Sequence, residues 1–343
     1  MIGLFKNNHK IKFFIKKFLF DHVAKPIISE KINLSKDPLY DFFSYGNKNP
    51  NKIFYIIRRS PGAGLFSNLT YVINHLLIAD KHNFIPVIDM ENYPTIYNEK
   101  NSINGSKNSW LYYFEPVSKY SLHEVYKSKN VVLSSNKFYH DVFTHKIYNN
   151  KKLLKFSNKI IIKKNIKLKV KKFTKKVLLD NYKTLGVHYR GTSYKDSANH
   201  PFPPTFNQLV KKIDHLIKLN SFDKIFFSTE DKEMFDLIIK RYKNKIISYN
   251  SFRSIKDDAF KKYNRPNHRF KLGEEILIES LILSKCHTFL FVETNVSSFV
   301  RSLKNKNQFL IPLKNGFNSS NEYIAKWLWY IKKILPPKLG GFN

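Results

Sequence analysis

Cysteine is almost missing from this sequence. Cys286 is the single one among 343 residues, so no disulfide framework can form within the chain and no cysteine-built zinc site is possible. A lone thiol in an apolar segment fits a reducing compartment. No apolar run reaches the roughly 18 residues that a transmembrane helix needs. Acidic residues are scarce as well: 26 Asp+Glu face 60 Lys+Arg, a formal net charge of +34. Such a balance favours anionic partners: nucleotides, phosphorylated substrates, an anionic membrane surface or nucleic acid. The Lys, Asn, Ile and Phe abundance also fits an AT-rich genome. The basic residues are dispersed and no nucleic-acid motif is present, so nucleic acid is not expected as a partner.

A secretory signal is also not expected. Residues 1–24 are basic and apolar, but Lys10, Lys12, Lys16 and Lys17 interrupt the apolar stretch and no small-residue cleavage site follows. Phe13, Ile15, Phe18 and Leu19 can line one face of an amphipathic helix, resting on an anionic membrane or packed on the domain. The expected location is cytoplasmic, with peripheral contact at the inner face of the membrane. His140, Asp141 and His145 can all hydrogen-bond, but their spacing is not that of a metal site, and no metal is assigned.

What is present is α/β alternation. Hydrophobic content of 42% supports real cores, and the length suits two domains. KIFYII (52–57) reads as a strand, Arg58 to Gly64 as a tight loop, and Phe66 to Lys81 as a buried helix, because Leu65, Leu69, Val72, Leu76 and Ala79 recur at helical spacing. Strand, glycine loop and helix together can present backbone N–H groups to an anion. FIPVID (84–89) completes a βαβ start and implies a parallel sheet. The aromatic, loop-rich residues 91–128 suit either a sugar platform or ordinary packing under a long loop. Residues 151–176 hold twelve lysines among Leu, Ile and Val, a solvated helical face. The boundary is placed after them, giving domains 1–180 and 181–343.

The second half centres on Leu185 to Thr192. A buried strand, Thr184 to Tyr189, delivers His188 and Arg190 to the loop at its carboxyl end, where ligands of open α/β sheets bind. Arg190 is a planar, permanent cation suited to a diphosphate. Thr205 reads as the N-cap of the next helix. Strands follow at 224–228, 245–249, 289–292 and 308–312, with helices at 232–242, 274–285, from 299, and at 322–335; residues 253–271 read as a polar loop. Ser228 to Asp231 and Thr294 to Ser298 are further polar strand ends. The latter opens a helix, whose hydroxyls and N–H groups can bind phosphate, although Ser297 and Ser298 can equally serve as caps. A helix carboxylate, Glu279 or Glu275, can accept from a base edge or sit on the surface.

GVHYRGTSYKDSANHP (186–201) resembles the first motif of the fucosyltransferase superfamily, which spans nodulation and core α-1,6-, α-1,2- and protein O-fucosyltransferases. IFFSTED (225–231) is similar to its second motif and GEEILIESLILSKCHTFLFVETNVSSFVRSL (273–303) to its third; PGAGLFSNL (61–69) resembles its N-terminal glycine loop, carrying Gly64 and Asn68. The resemblance implies a GT-B-like fold of two Rossmann-type domains with a C-terminal helix. It also implies an inverting, metal-independent glycosyltransferase using GDP-fucose, or another GDP-sugar such as a GDP-heptose, on a glycan or lipid-linked oligosaccharide acceptor. It places Arg190 on the β-phosphate, His188 beside the nucleotide and Glu279 at the guanine. Thr192, Asn295, Ser297, Ser298, Gly64 and Asn68 would complete the donor site, with Asp196 the catalytic base. Gly191, Ser193 and Glu279 depart from the family's Arg, Asp and Asp. A non-catalytic nucleotide- or anion-binding protein is the alternative.

Overall fold

The computed structural model describes residues 40–59, 63–134, 157–177, 183–256, 258–261, 265–303 and 307–342. The basic N-terminal segment, the loop residues 60–62 and the histidines at 140 and 145 lie outside them. The chain divides into two compact units, Met1–Lys164 with Asn267–Gly273, and Asn165–Pro266 with Glu274–Asn343.

In the first unit, four strands lie in the order β1-β4-β2-β3: β1 (Tyr40–Phe43), β2 (Lys48–Arg58), β3 (Ile85–Asp89) and β4 (Ser128–Ser134). β2 runs parallel to both β3 and β4, and β1 closes the edge antiparallel to β4. The crossover from β2 to β3 is α1 (Leu65–Lys81), whose apolar residues are buried as its spacing predicts; the short α2 is Leu122–Val125. The aromatic residues of 91–128 are mostly core: Tyr93, Tyr97, Trp110, Tyr112, Tyr113 and Phe114 are all buried.

The second unit begins with α3 (Lys164–Val177). Lys164, Lys167, Lys169, Lys171, Lys172 and Lys175 are exposed while Ile166 and Val170 are buried, and Phe173 packs against Phe226 and Tyr249. From Asn165 onward this helix belongs to the second compact unit. Five parallel strands follow in the order β7-β6-β5-β8-β9: β5 (Thr184–Tyr189), β6 (Lys224–Thr229), β7 (Ile246–Ile247), β8 (Thr288–Val292) and β9 (Phe309–Leu313). Counted from β5 this is the doubly wound order 3-2-1-4-5. Between the strands run α4 (Phe206–Asn220), α5 (Lys232–Tyr242), α6 (His268–Leu283) and α7 (Asn295–Ser302), and α8 (Glu322–Ile334) follows β9.

Local chemistry starts these helices. Thr205 and Gln208 form a capping box on α4, Asp231 caps α5 through the Met234 N–H, and Thr294 with Ser297 forms a second capping box on α7. One face of the sheet packs Leu185, Val187, Ile225, Phe227 and Leu290 against Leu209 and Ile213 of α4. The other face receives α6: a Cβ on Gly186 would stand 3.0 Å from the Cys286 side chain, so this strand needs glycine where the helix end comes close. His188, two residues on, shares that face.

Residues 253–271 read as loop in the sequence, yet α6 begins at His268. Its start is held from far along the chain: the Phe270 N–H donates to Glu99 at 2.9 Å, and the Arg269 guanidinium donates to the Ile96 carbonyl at 2.6 Å.

Candidate functional site

The strand order reverses between β5 and β8, and that crevice is the ligand position of a doubly wound sheet. Two loops leave it side by side, since His188 on β5 is in register with Phe291 on β8. The β5 loop carries Arg190, Thr192 and Asp196. The β8 loop carries Asn295, Ser297 and Ser298 at the start of α7.

Glu230, at the end of β6, organises the first loop. One of its oxygens accepts from the Gly191 N–H and the Thr192 hydroxyl, both at 3.0 Å, and lies 3.6 Å from the Arg190 guanidinium. Thr192 therefore fastens the loop. Arg190 also donates to the Ser193 hydroxyl at 3.4 Å and lies over the Tyr194 ring, 5.4 Å from its centroid. About a third of its side chain (34%) reaches solvent. Asp231 pairs with Lys195 at 3.2 Å while capping α5. Gly191 stands where the family motif has arginine, and the structure supplies the reason: a Cβ there would sit 2.3 Å from the Asp231 carboxylate and 2.5 Å from the Tyr189 ring.

Asp196 ends the one-turn helix Thr192–Lys195 and is exposed. The Tyr330 hydroxyl of α8 donates to it; burial, then the Asp196 charge and this bond, raise the Tyr330 pKa. The Asp196 carboxylate meets this hydroxyl while remaining open to solvent.

His188 is fully buried and neither ring nitrogen has a partner. Burial first, and the Arg190 charge second, lower its pKa to about 3. It is a neutral imidazole at physiological pH, with a donor and an acceptor both unused. Beside it on β6, in register, is Ser228, whose hydroxyl donates to Glu279 at 2.8 Å. The other Glu279 oxygen accepts from Ser251 at 2.7 Å, and Arg253 lies 3.7 Å away. Burial raises the Glu279 pKa to about 7, opposed by Arg253 and the two serines. Glu279 is thus no surface carboxylate. Each of its oxygens accepts a serine hydroxyl inside the unit. Glu275 is committed to Arg265 in a bidentate pair.

At the α7 start, Ser297 engages its hydroxyl and its N–H in the capping box with Thr294, at 2.9–3.0 Å, the capping role that the sequence also allowed. Ser298 and Asn295 remain in the first turn, where N–H groups point at the crevice end of the helix. Gly64 and Asn68 belong to the first unit. Gly64 is the N-cap residue of α1, in an extended conformation with open space at its Cβ. Asn68 is buried, donates weakly to the Ala63 carbonyl at 3.4 Å, and leaves its Oδ1 without a partner. Among the described residues no three His, Cys, Asp or Glu side chains cluster as metal ligands.

Sequence reasoning assigned no role to Glu230 or Tyr330. Glu230 had a signal, its place at a polar strand end. Tyr330 had none, because it meets Asp196 only through the packing of α8.

No family model matches the sequence, and no curated protein matches it by sequence. Solved structures do match. NodZ alpha-1,6-fucosyltransferase soaked with GDP-fucose is similar at a TM-score of 0.50 and 12% identity, over 74% of this chain and 93% of that one. The chain has the fold of a GT-B-type fucosyltransferase. NodZ from Bradyrhizobium (13% identity, 74% and 92% covered, TM-score 0.46) and POFUT1 in complex with GDP-fucose (10%, 77% and 98%, 0.45) are further similar structures. In this fucosyltransferase fold the second unit is the doubly wound half, and the Arg190 loop and the α7 N-terminus occupy its switch point.

Proposed function

We propose that this protein is an inverting glycosyltransferase that moves a sugar, L-fucose in the first instance, from a GDP-sugar to a hydroxyl of a glycan acceptor. The observation that carries the reading is the pairing of a partly exposed arginine with a helix N-terminus across the switch point of a 3-2-1-4-5 sheet. The shared fold with a structure soaked with GDP-fucose supports it.

The acceptor oxygen attacks C1 of the sugar as the C1–O bond to the diphosphate breaks. Asp196 takes the hydroxyl proton, GDP departs with the electron pair, and the anomeric centre inverts. General-base assistance of this kind is worth about 10²–10⁴-fold. Arg190 and the first-turn N–H groups of α7 meet the negative charge growing on the diphosphate, a stabilisation realised mainly in the transition state. That assignment requires no metal. The unpartnered nitrogens of His188 lie beside the nucleotide in this reading. A lipid-linked oligosaccharide is the acceptor class most consistent with a chain of this charge.

Thermal-shift measurements with GDP, UDP, ADP and CMP in EDTA test the reading, on wild type, Arg190→Ala and Asp196→Asn. Stabilisation by GDP alone, lost in Arg190→Ala and kept in Asp196→Asn, is expected. Asp196→Asn should then bind GDP without transferring sugar from GDP-fucose or a GDP-heptose. A preference for UDP or CMP overturns the GDP-sugar assignment. Stabilisation by several anions alike, with no donor turned over, leaves an anion-binding protein.

A further inference from the structure

Helix α8 (Glu322–Ile334) buries Ala325 and Trp329. At about 100° per residue, these two define its inner face. Tyr323, Ile324, Trp327, Tyr330, Ile331 and Ile334 fall within an arc of about 120° on the opposite side, and all six are exposed. Tyr323, Trp327 and Ile334 are 79%, 67% and 84% exposed. A water-facing helix surface ordinarily carries charge, so an uninterrupted aromatic and aliphatic stripe of this kind marks a contact surface.

The charge around the stripe narrows the partner. Lys326 and Lys333 flank one edge, Lys338 follows just beyond the helix, and Glu322 is the helix's one acidic residue. A second copy of a chain with net charge +34 would bring its own lysines against these. An anionic bilayer would not. Trp and Tyr beside Ile, rimmed by lysine, is the composition that settles at the headgroup level, with the rings at the interface and the ammonium groups on lipid phosphates. No helix among the described residues is long and apolar enough to cross a membrane, so the fit is to a surface.

We infer that α8 docks this protein on an anionic lipid bilayer, laying its Tyr323–Ile334 stripe into the interface. Tyr330 lies at the margin of that stripe and bonds Asp196, so the docked surface adjoins the candidate base. Docking itself does not depend on sugar transfer, and its failure would leave the proposed activity standing.

The chain reports on its own docking. Trp110 and Trp329 are buried and Trp327 is exposed, so Trp327 supplies the environment-sensitive emission. The full-length protein is titrated with vesicles of phosphatidylcholine alone and of phosphatidylcholine with phosphatidylglycerol, with and without brominated acyl chains. The expected result is a blue shift and bromine quenching on the anionic vesicles only, absent in Trp327→Phe. Co-sedimentation with vesicles should weaken about 25-fold in Lys326→Gln/Lys333→Gln, near fivefold per charge removed, and should also fall in Ile331→Asp/Ile334→Asp. Vesicle binding that leaves Trp327 emission unchanged places the contact elsewhere, the basic residues 1–24 included, and overturns the inference. Equal binding to neutral vesicles overturns it too. So does a blue shift that follows protein concentration without lipid, which would make the stripe a self-association surface.

Discussion

Two strands of this protein lead to an arginine, and the two arginines have opposite fates. Arg58, at the end of β2, is 1% exposed. Its Nε donates to the Ser134 carbonyl at 2.8 Å and its Nη1 to the Tyr93 hydroxyl at 3.2 Å, and its guanidinium stacks on the Tyr93 ring. The residue ties the ends of β2 and β4 together. Arg190, just past the end of β5, lies 3.6 Å from the Glu230 carboxylate and donates to the Ser193 hydroxyl at 3.4 Å, with a third of the side chain in water. The sequence pattern is shared; what differs is burial. Arg58 is closed off in the interior, where it ties two strands together, and Arg190 keeps part of its side chain at the surface beside the switch point.

The sharpest way to break this comparison is to remove each arginine. Arg190→Ala should lower turnover of a GDP-sugar about 10²–10³-fold while its unfolding free energy stays within about 0.5 kcal/mol of wild type. Arg58→Ala should cost about 3 kcal/mol, because the Ser134 carbonyl and Tyr93 hydroxyl lose a charged donor in a buried place. Denaturant melts and steady-state kinetics on both variants check this. A stability loss in Arg190→Ala equal to that of Arg58→Ala would erase the distinction.

A second contrast lies among the buried titratable groups. Folding holds Glu279 at about 7, above an ordinary carboxylate near 4.5, so the fold favours its protonated form. That contribution is fully present below about pH 4.5 and is lost as pH rises through 7, a change of about 3 kcal/mol. His188 and His75 are both depressed to about 3, so the fold favours their neutral forms. Their contribution is present above pH 6.5 and lost as pH falls toward 3. Glu279→Gln should therefore flatten the decline on the alkaline side and leave the acid limb unchanged. Melting temperature against pH for the two proteins decides it, and a variant curve parallel to wild type would show that Glu279 stays ionised throughout.

The smallest expected effect concerns Gly191. Gly191→Ala forces a methyl against the Asp231 carboxylate and the Tyr189 ring and should cost about 1–3 kcal/mol, with weaker GDP stabilisation as the Arg190 loop shifts. If Gly191→Ala matches wild type in both melting and GDP response, the loop is less tightly placed than Glu230 and Asp231 imply.

Much of this was legible in the chain itself. Period and capping chemistry located α1, α4 and α5, and Thr205 was readable as a cap because its partner Gln208 lies three residues away. The apolar runs of β5, β6 and β8 were readable because strands buried on both faces need continuous hydrophobicity. His188 and Arg190 were readable as a pair at a strand end, and so was the polar start of α7. These are local relations, and a sequence states them directly. Tertiary structure decided the rest. The first turn of α6 is capped by Glu99, distant in sequence, so residues 268–271 look like loop. The reciprocal bonds between Thr294 and Ser297 at the start of α7 are seen only in the folded geometry. Glu279 lies on a helix of mixed composition, and its burial follows from which face meets β6. The strand order that sets β5 beside β8, the contact of Tyr330 with Asp196, and the unburied stripe of α8 all come from packing between distant segments. Composition and spacing carry no record of which side chain has already found its partner.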